Sequence, residues 1–218
     1  MTSDAKIKAI LDATNKAYRK PPALKKTGAV DELIRTVLSQ NTSDANSLKA
    51  FAVLKDNFKA WDGLLSTETR RIAALIRHAG LANIKAKRIK EILGEIKKRE
   101  GKISLSSLGK MAAGDALSYL RSLKGVGPKT AACVLLFSFG RPIMPVDTHI
   151  FRVTKRLGLI ADNLNIEEAH GLLSRIVPKG LIYNFHLGII EHGRRVCKAH
   201  NPRCGACVLY KWCKYRGG

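Results

Sequence analysis

The stretch Leu123-Lys124-Gly125-Val126-Gly127-Pro128-Lys129-Thr130 decides how the chain folds. A helical pattern precedes it, and the apolar run Ala131-Ala132-Cys133-Val134-Leu135-Leu136 follows it. Gly125 and Gly127 permit a tight turn with positive φ and close approach of a second backbone. Pro128 suits the first position of a new helix, where no backbone donor is lost. Free N–H groups at such a helix start make a phosphate site. The stretch lacks the G-x-x-x-x-G-K-[ST] spacing, which disfavours a nucleotide triphosphatase. Taken alone, it also fits an ordinary corner between two helices.

Lys129 falls in the first turn after the hairpin. The positive end of the helix dipole disfavours an ammonium there, which suits the side chain to act as a nucleophile. Eighteen residues on comes Pro145-Val146-Asp147-Thr148-His149, followed by a helical pattern. Asp147 stands where an N-cap stands. Either it only caps that helix, or it is a carboxylate held ionised and aimed at a developing positive charge. His149, His186 and His192 are given no chemistry.

The 218 residues include 39 Lys+Arg against 17 Asp+Glu, a formal net charge of +22. Such a balance points to a polyanion, with nucleic acid foremost. A hydrophobic content of 45 % excludes a disordered basic tail. No apolar run reaches membrane-spanning length, so no membrane partner is expected. The opening residues Met1 to Lys6 carry no signal-peptide core, and the expected location is intracellular, in the cytoplasm or nucleoid. Aromatics make up only 6 %, too few for the stacking platforms of an RNA-binding protein.

Helical periodicity extends almost throughout. Ile89, Ile92, Leu93 and Ile96 repeat at i, i+3, i+4, i+7. Similar patterns fall near 3–18, 29–39, 43–57, 67–79, 112–122, 128–139, 148–157, 166–176 and 179–196. No two-residue alternation appears, so an all-α fold without significant sheet is expected. Basic charge gathers over 85–102, including Lys85 and Arg88, and reads either as a solvated helix face or as a nucleic-acid patch. It gathers again at the C-terminus, in Arg194, Arg195, Lys198, Arg203, Lys211, Lys214 and Arg216.

Cys133 reads as a small core residue. The other four, Cys197, Cys204, Cys207 and Cys213, follow C-x6-C-x2-C-x5-C within seventeen residues. Clustered thiols in an intracellular chain argue for metal rather than disulfides. Tetrahedral zinc and an iron–sulfur cluster both fit at this point.

Three motifs in this order, Leu-x-Gly-Val-Gly-x-Lys-Thr-Ala, Val-Asp-Thr-His-Ile-Phe-Arg-Val and the four-cysteine spacing, strongly resemble the endonuclease III family of DNA glycosylases. The resemblance covers nearly the whole chain. It implies a helix–hairpin–helix glycosylase fold: a six-helix barrel domain and a discontinuous cluster domain, with a DNA groove between. The implied boundaries are 1–22 for the N-terminal helix packing with the cluster domain, 23–141 for the barrel and 142–218 for the cluster domain. One 4Fe–4S cluster at Cys197, Cys204, Cys207 and Cys213 is implied rather than zinc. Lys129 matches the family's nucleophilic lysine and Asp147 its catalytic aspartate. Leu123, Lys124, Gly125, Val126 and Gly127 match the phosphate-binding hairpin. Lys198 and Arg203 lie in the loop tied off by Cys197 and Cys204, which would face the DNA backbone.

Gly80-Leu81-Ala82-Asn83-Ile84-Lys85-Ala86 resembles the loop whose Leu wedges into the duplex, making Leu81 the wedge. Leu38-Ser39-Gln40-Asn41-Thr42 resembles the segment that fills the gap left by a flipped base. Family members usually carry Ala-Gln-Ala-Thr there; here Asn41 stands at the aligned place and Gln40 one residue earlier. The Gln-Asn-Thr order is similar to some alkyl-base or mismatch glycosylases of the superfamily.

The implied activity is bifunctional: excision of a damaged base, an oxidised pyrimidine by expectation, then strand cleavage by β-elimination. The implied partner is double-stranded DNA with a damaged base or abasic site, bound by a monomer. One alternative is a glycosylase for mismatched or alkylated bases with little lyase activity. A second is a DNA-binding protein without catalysis.

Overall fold

The computed structural model describes residues 3–215; Arg216, one of the C-terminal cations above, lies outside them. Among the described residues eleven α-helices are joined by short loops and 3-10 turns, and no strand occurs. The all-α class read from the sequence is the one found. The chain divides into two compact units, Lys26–Arg141 and the pair of segments Met1–Lys25 and Pro142–Gly218.

The Lys26–Arg141 unit is built around α2 (Ala29–Ser39), α6 (Ala82–Glu100) and α8 (Pro128–Phe139). In α2, Val30, Leu33, Ile34, Val37 and Leu38 are buried, at the spacing that lines one helix face. That face packs against α8 and α3 (Asp44–Asn57). α8 is buried on most sides, from Thr130 to Leu136, and so occupies the middle of the unit. α6 buries Ile89, Ile92, Leu93 and Ile96 and packs on α5 (Thr69–Leu75). Truncating a core aliphatic such as Ile89 to Ala costs about 2–5 kcal/mol in comparable cores. α7 (Ala113–Arg121) leads into the hairpin and packs on α8.

Three expectations change here. The pattern over 67–79 is broken at Ile76 into α5 and a 3-10 turn, Arg77–Ala79, that ends at Gly80 with φ 65°. A short helix, α4 (Trp61–Ser66), stands where none is read from periodicity. Lys85 does not belong to a solvated face: it is 1 % exposed and shares the buried side of α6 with Ala86 and Ile89.

In the other unit α1 (Ser3–Tyr18) packs on α11 (Ile182–Arg195), which packs on α9 (Thr148–Arg156). Ile7, Ile10, Val153, Phe185 and Ile189 form its core. α10 (Ile166–Ile176) starts at a capping box, in which Asn165 accepts from the Glu168 N–H and Glu168 from the Asn165 N–H. Beyond Arg195, among the described residues, only short 3-10 turns occur, at Cys204–Ala206 and Tyr210–Trp212.

Candidate functional site

The hairpin joins α7 to α8 by a turn in which the Val126 N–H donates to the Leu123 carbonyl at 3.0 Å. Leu123 and Val126 point inward and are buried, while Lys124, Gly125 and Gly127 are exposed. Gly125 adopts φ 86°. A Cβ there would run into the Arg88 side chain, so this glycine is required both by its φ and by a neighbour. Gly127 departs from the expectation of positive φ. It is extended, with φ −85° and ψ 176°, because it is the N-cap of α8, and a Cβ on it would meet nothing. The Gly125 and Gly127 amides make no backbone hydrogen bond among the described residues. Together with the first turn of α8 they are donors suited to an anion.

Lys129 occupies the second position of α8, half-buried. Its ammonium group makes no hydrogen bond or ion pair among the described residues, so the side chain is not committed to a structural contact. Its neighbour Thr130 is buried and lies 3.4 Å from Gln40 Nε2. Gln40 Oε1 in turn accepts from Arg88 Nη1 at 2.8 Å. Gln40 is therefore turned inward as a brace. Asn41, exposed and left-handed at φ 51°, presents its side chain outward instead. Leu81 is also left-handed, at φ 48° and ψ 36°, and is 53 % exposed. That conformation costs a non-glycine residue about 1–2 kcal/mol. A bulky apolar side chain kept both strained and solvated is a functional candidate.

Asp147 is the N-cap of α9: its Oδ1 accepts from the Ile150 N–H at 2.8 Å. It is half-buried, and Oδ2 makes no hydrogen bond among the described residues. One carboxylate thus anchors a helix and still offers an acceptor. His186, buried, holds the approach to it through the Pro145 carbonyl, 3.0 Å from Nδ1. Arg152, one turn along α9, donates to the Cys197 carbonyl at 2.9 Å and to the Gly193 carbonyl at 3.0 Å.

The four clustered thiols are all free. Arg156 donates to Cys197 Sγ at 3.3 Å and to the carbonyls of Lys198 and Ala199 at 2.7 and 3.2 Å. The Arg203 N–H closes the intervening loop onto the Val196 carbonyl at 3.0 Å, leaving the Lys198 and Arg203 side chains exposed. Burial pushes the Cys207 thiol up, a backbone hydrogen bond at Leu209 opposes it, and Cys197, Cys213 and Cys204 add to the rise, so those three lie within electrostatic reach of Cys207. Among the described residues no three of His, Cys, Asp or Glu converge as ligands of a single ion. Burial lowers His192 to about 4 and, with Cys207 next in weight, raises Tyr18 to about 12. The pair is neutral, with Tyr18 Oη 2.7 Å from His192 Nδ1 and His192 Nε2 3.6 Å from Cys207 Sγ.

Residues 34–179 match the HhH-GPD superfamily of base excision DNA repair proteins. The chain belongs to that superfamily. An HhH-GPD relative, Endonuclease III of Thermotoga maritima, is 34 % identical over 197 residues, which are 90 % of this chain and 88 % of that one. A protein of Arabidopsis thaliana named as a DNA glycosylase is 37 % identical over 165 residues. Those are 76 % of this chain but 56 % of the plant protein, so the chain spans just over half of that relative. The solved structure of a non-covalent Endonuclease III–DNA complex superposes with a TM-score of 0.82 at 29 % identity, over 98 % of this chain and 96 % of that one. The HhH-GPD fold read from the three motifs is the fold found, and its likeness is to Endonuclease III.

Lys85, Arg88, Arg152, Arg156 and His192 are the structural surprises of the two units. Lys85 and His192 have a local sequence signal: Lys85 stands four residues before Ile89, in phase with the buried stripe of α6, and His192 three after Ile189 and seven after Phe185, in phase with that of α11.

Proposed function

We propose that this HhH-GPD protein is a bifunctional DNA glycosylase and AP lyase, acting on double-stranded DNA with an oxidised pyrimidine or an abasic site. The observation that carries the reading is Lys129: an uncommitted amine in the first turn of α8, beside a hairpin whose free amides suit a phosphate. In the proposed reaction the neutral amine of Lys129 attacks C1′ of the damaged nucleotide. The bond to the base breaks, and the base leaves with the electron pair and gains a proton. The sugar ring opens to a Schiff base on Lys129. Loss of a proton from C2′ then expels the 3′ phosphate, and water releases Lys129. Asp147 offsets positive charge on the sugar through Oδ2 while Oδ1 keeps its helix cap.

The hairpin amides and Lys124 hold phosphates, with Lys198 and Arg203 as further backbone contacts. Leu81 wedges into the duplex. Of the two gap-filling candidates the geometry supports Asn41, because the Gln40 side chain is engaged by Arg88 and Thr130.

Cys197, Cys204, Cys207 and Cys213 hold one 4Fe–4S cluster in this reading. Four free cysteines within seventeen residues, three of which act electrostatically on Cys207, fit such a group. When bound, the cluster cross-links the 197–215 segment and contributes structure and charge. No described helix is long and apolar enough to cross a membrane; an intracellular monomer working on DNA is part of the same reading.

The test is a duplex carrying one oxidised pyrimidine, with free base and strand products measured separately. Base release coupled to β-elimination products is expected. Base release that leaves the strand intact would favour the mismatch or alkyl-base alternative, to which the Gln40-Asn41-Thr42 order is similar.

A further inference from the structure

Lys85 is among the largest fully buried side chains of the described residues. Its Nζ donates to the Leu38 carbonyl at 2.7 Å and to the Ala79 carbonyl at 2.7 Å. It has no acidic partner among the described residues, and Arg88 adds like charge beside it. A buried ammonium with no counter-ion is expensive, and an apolar residue would continue the α6 stripe without that cost. The two carbonyls belong to helix ends, of α2 and of the 3-10 turn Arg77–Ala79, where carbonyls lack intrahelical partners. Each end runs directly into left-handed backbone: Asn41 after one, Gly80 and Leu81 after the other. Lys85 thus ties both strained turns to one side chain. Arg88, one helical turn on, reaches Gln40 in the first of them and fills the space over Gly125 of the hairpin.

We propose that Lys85 is a positioning residue that fixes the spacing of the 38–41 and 79–81 turns, so that Asn41 and Leu81 enter DNA as one unit. This rests on the reading of Asn41 and Leu81 as inserted residues. One ammonium holding both turns means that neither can shift alone without losing a buried hydrogen bond.

The test uses Lys85→Met, an unbranched side chain one atom shorter that cannot donate to either carbonyl, together with Leu81→Ala and the double variant. Rates of base release, affinities for an abasic-analogue duplex and its undamaged counterpart, and melting temperatures are measured for each. Lys85→Met is expected to slow base release about 100-fold, the scale of a misplacement near 1 Å. Affinity for undamaged duplex stays unchanged, and adding Leu81→Ala slows the reaction by no more than about twofold further. Effects that multiply in full would overturn the inference while leaving Leu81 as the wedge. A Leu81→Ala variant with unchanged rate and damage selectivity would remove the underlying reading instead. If Lys85→Met does not fold, hydrogen exchange on the unaltered protein decides: residues 39–42 and 80–83 should open together and gain protection together on the abasic-analogue duplex. Separate opening of the two turns would contradict the inference.

Discussion

In the Lys26–Arg141 unit, each segment assigned to DNA is backed by a helix with an aliphatic buried face: the hairpin by α8, the 38–41 turn by α2, the 79–81 turn by α6. In the 197–215 segment of the other unit, only Cys197 and Leu209 are buried. Its loops are held by guanidinium groups of Arg152 and Arg156 on backbone carbonyls. The first region is ordered by burial, roughly 1.5–3 kcal/mol for each large aliphatic side chain taken out of water. The second has too little apolar surface to order itself that way, which is where the proposed cluster would contribute. Strain is placed accordingly. Left-handed Leu81 and Asn41 occur where a packed core and Lys85 can hold them.

Removing one of the proposed cluster ligands is the sharpest way to break this contrast. Cys207→Ser is expected to destabilise the unit that holds it by about 4 kcal/mol or more, the range of lost metal sites. Proteolysis should begin within 197–215 while the hairpin unit stays resistant. A variant whose C-terminal segment resists proteolysis as the parent does would show that the arginine contacts suffice.

Asp147 sharpens the comparison inside the cysteine-bearing unit, since in the proposed reaction its one carboxylate serves both fold and chemistry. Asp147→Asn keeps an N-cap acceptor and should change stability by only a few tenths of a kcal/mol, whereas Asp147→Ala should cost about 1 kcal/mol. Both should lower turnover at least about 100-fold, the scale of losing one charge-stabilising group. Thermal denaturation beside single-turnover rates checks the split. Equal stability of the two variants would mean the cap at Ile150 contributes nothing.

The smallest effect is the most telling for strain. Leu81→Gly should raise stability by up to about 1 kcal/mol, since glycine accepts φ 48° freely and loses only part of that gain to its own entropy. Damage selectivity should fall at the same time. Denaturant midpoints measure the first, and affinity ratios between abasic-analogue and undamaged duplexes measure the second. A loss of stability would show that the Leu81 side chain has a packing role after all.

Much of the hairpin unit was legible in the sequence because its signals are local. Gly125, Pro128 and the apolar run after Thr130 mark a turn and a central helix within a few residues of one another. The α6 stripe was legible, but Lys85 was counted with its charged neighbours although it lies in phase with Ile89 and Ile96. Charge was read by type, and position on the helix decided the outcome. α4 escaped because six residues with a Gly63 among them cannot show a period. The choice between Gln40 and Asn41 depends on which residue turns left-handed, which no composition rule sets. The roles of Arg152 and Arg156 depend on carbonyls more than forty residues away, at Gly193 to Ala199. The four-cysteine spacing points to a metal site, yet by itself it fits a zinc ion and an iron–sulfur cluster alike.

The most direct measurement is borohydride trapping on a duplex with one abasic site, for the protein as it stands and for Lys129→Gln. The account predicts a covalent protein–DNA adduct that disappears in Lys129→Gln. Stability should be unchanged or up to about 1 kcal/mol higher in that variant, because a cation leaves a helix N-terminus. Tight binding of the same duplex with no adduct, or an adduct that persists in Lys129→Gln, would contradict it.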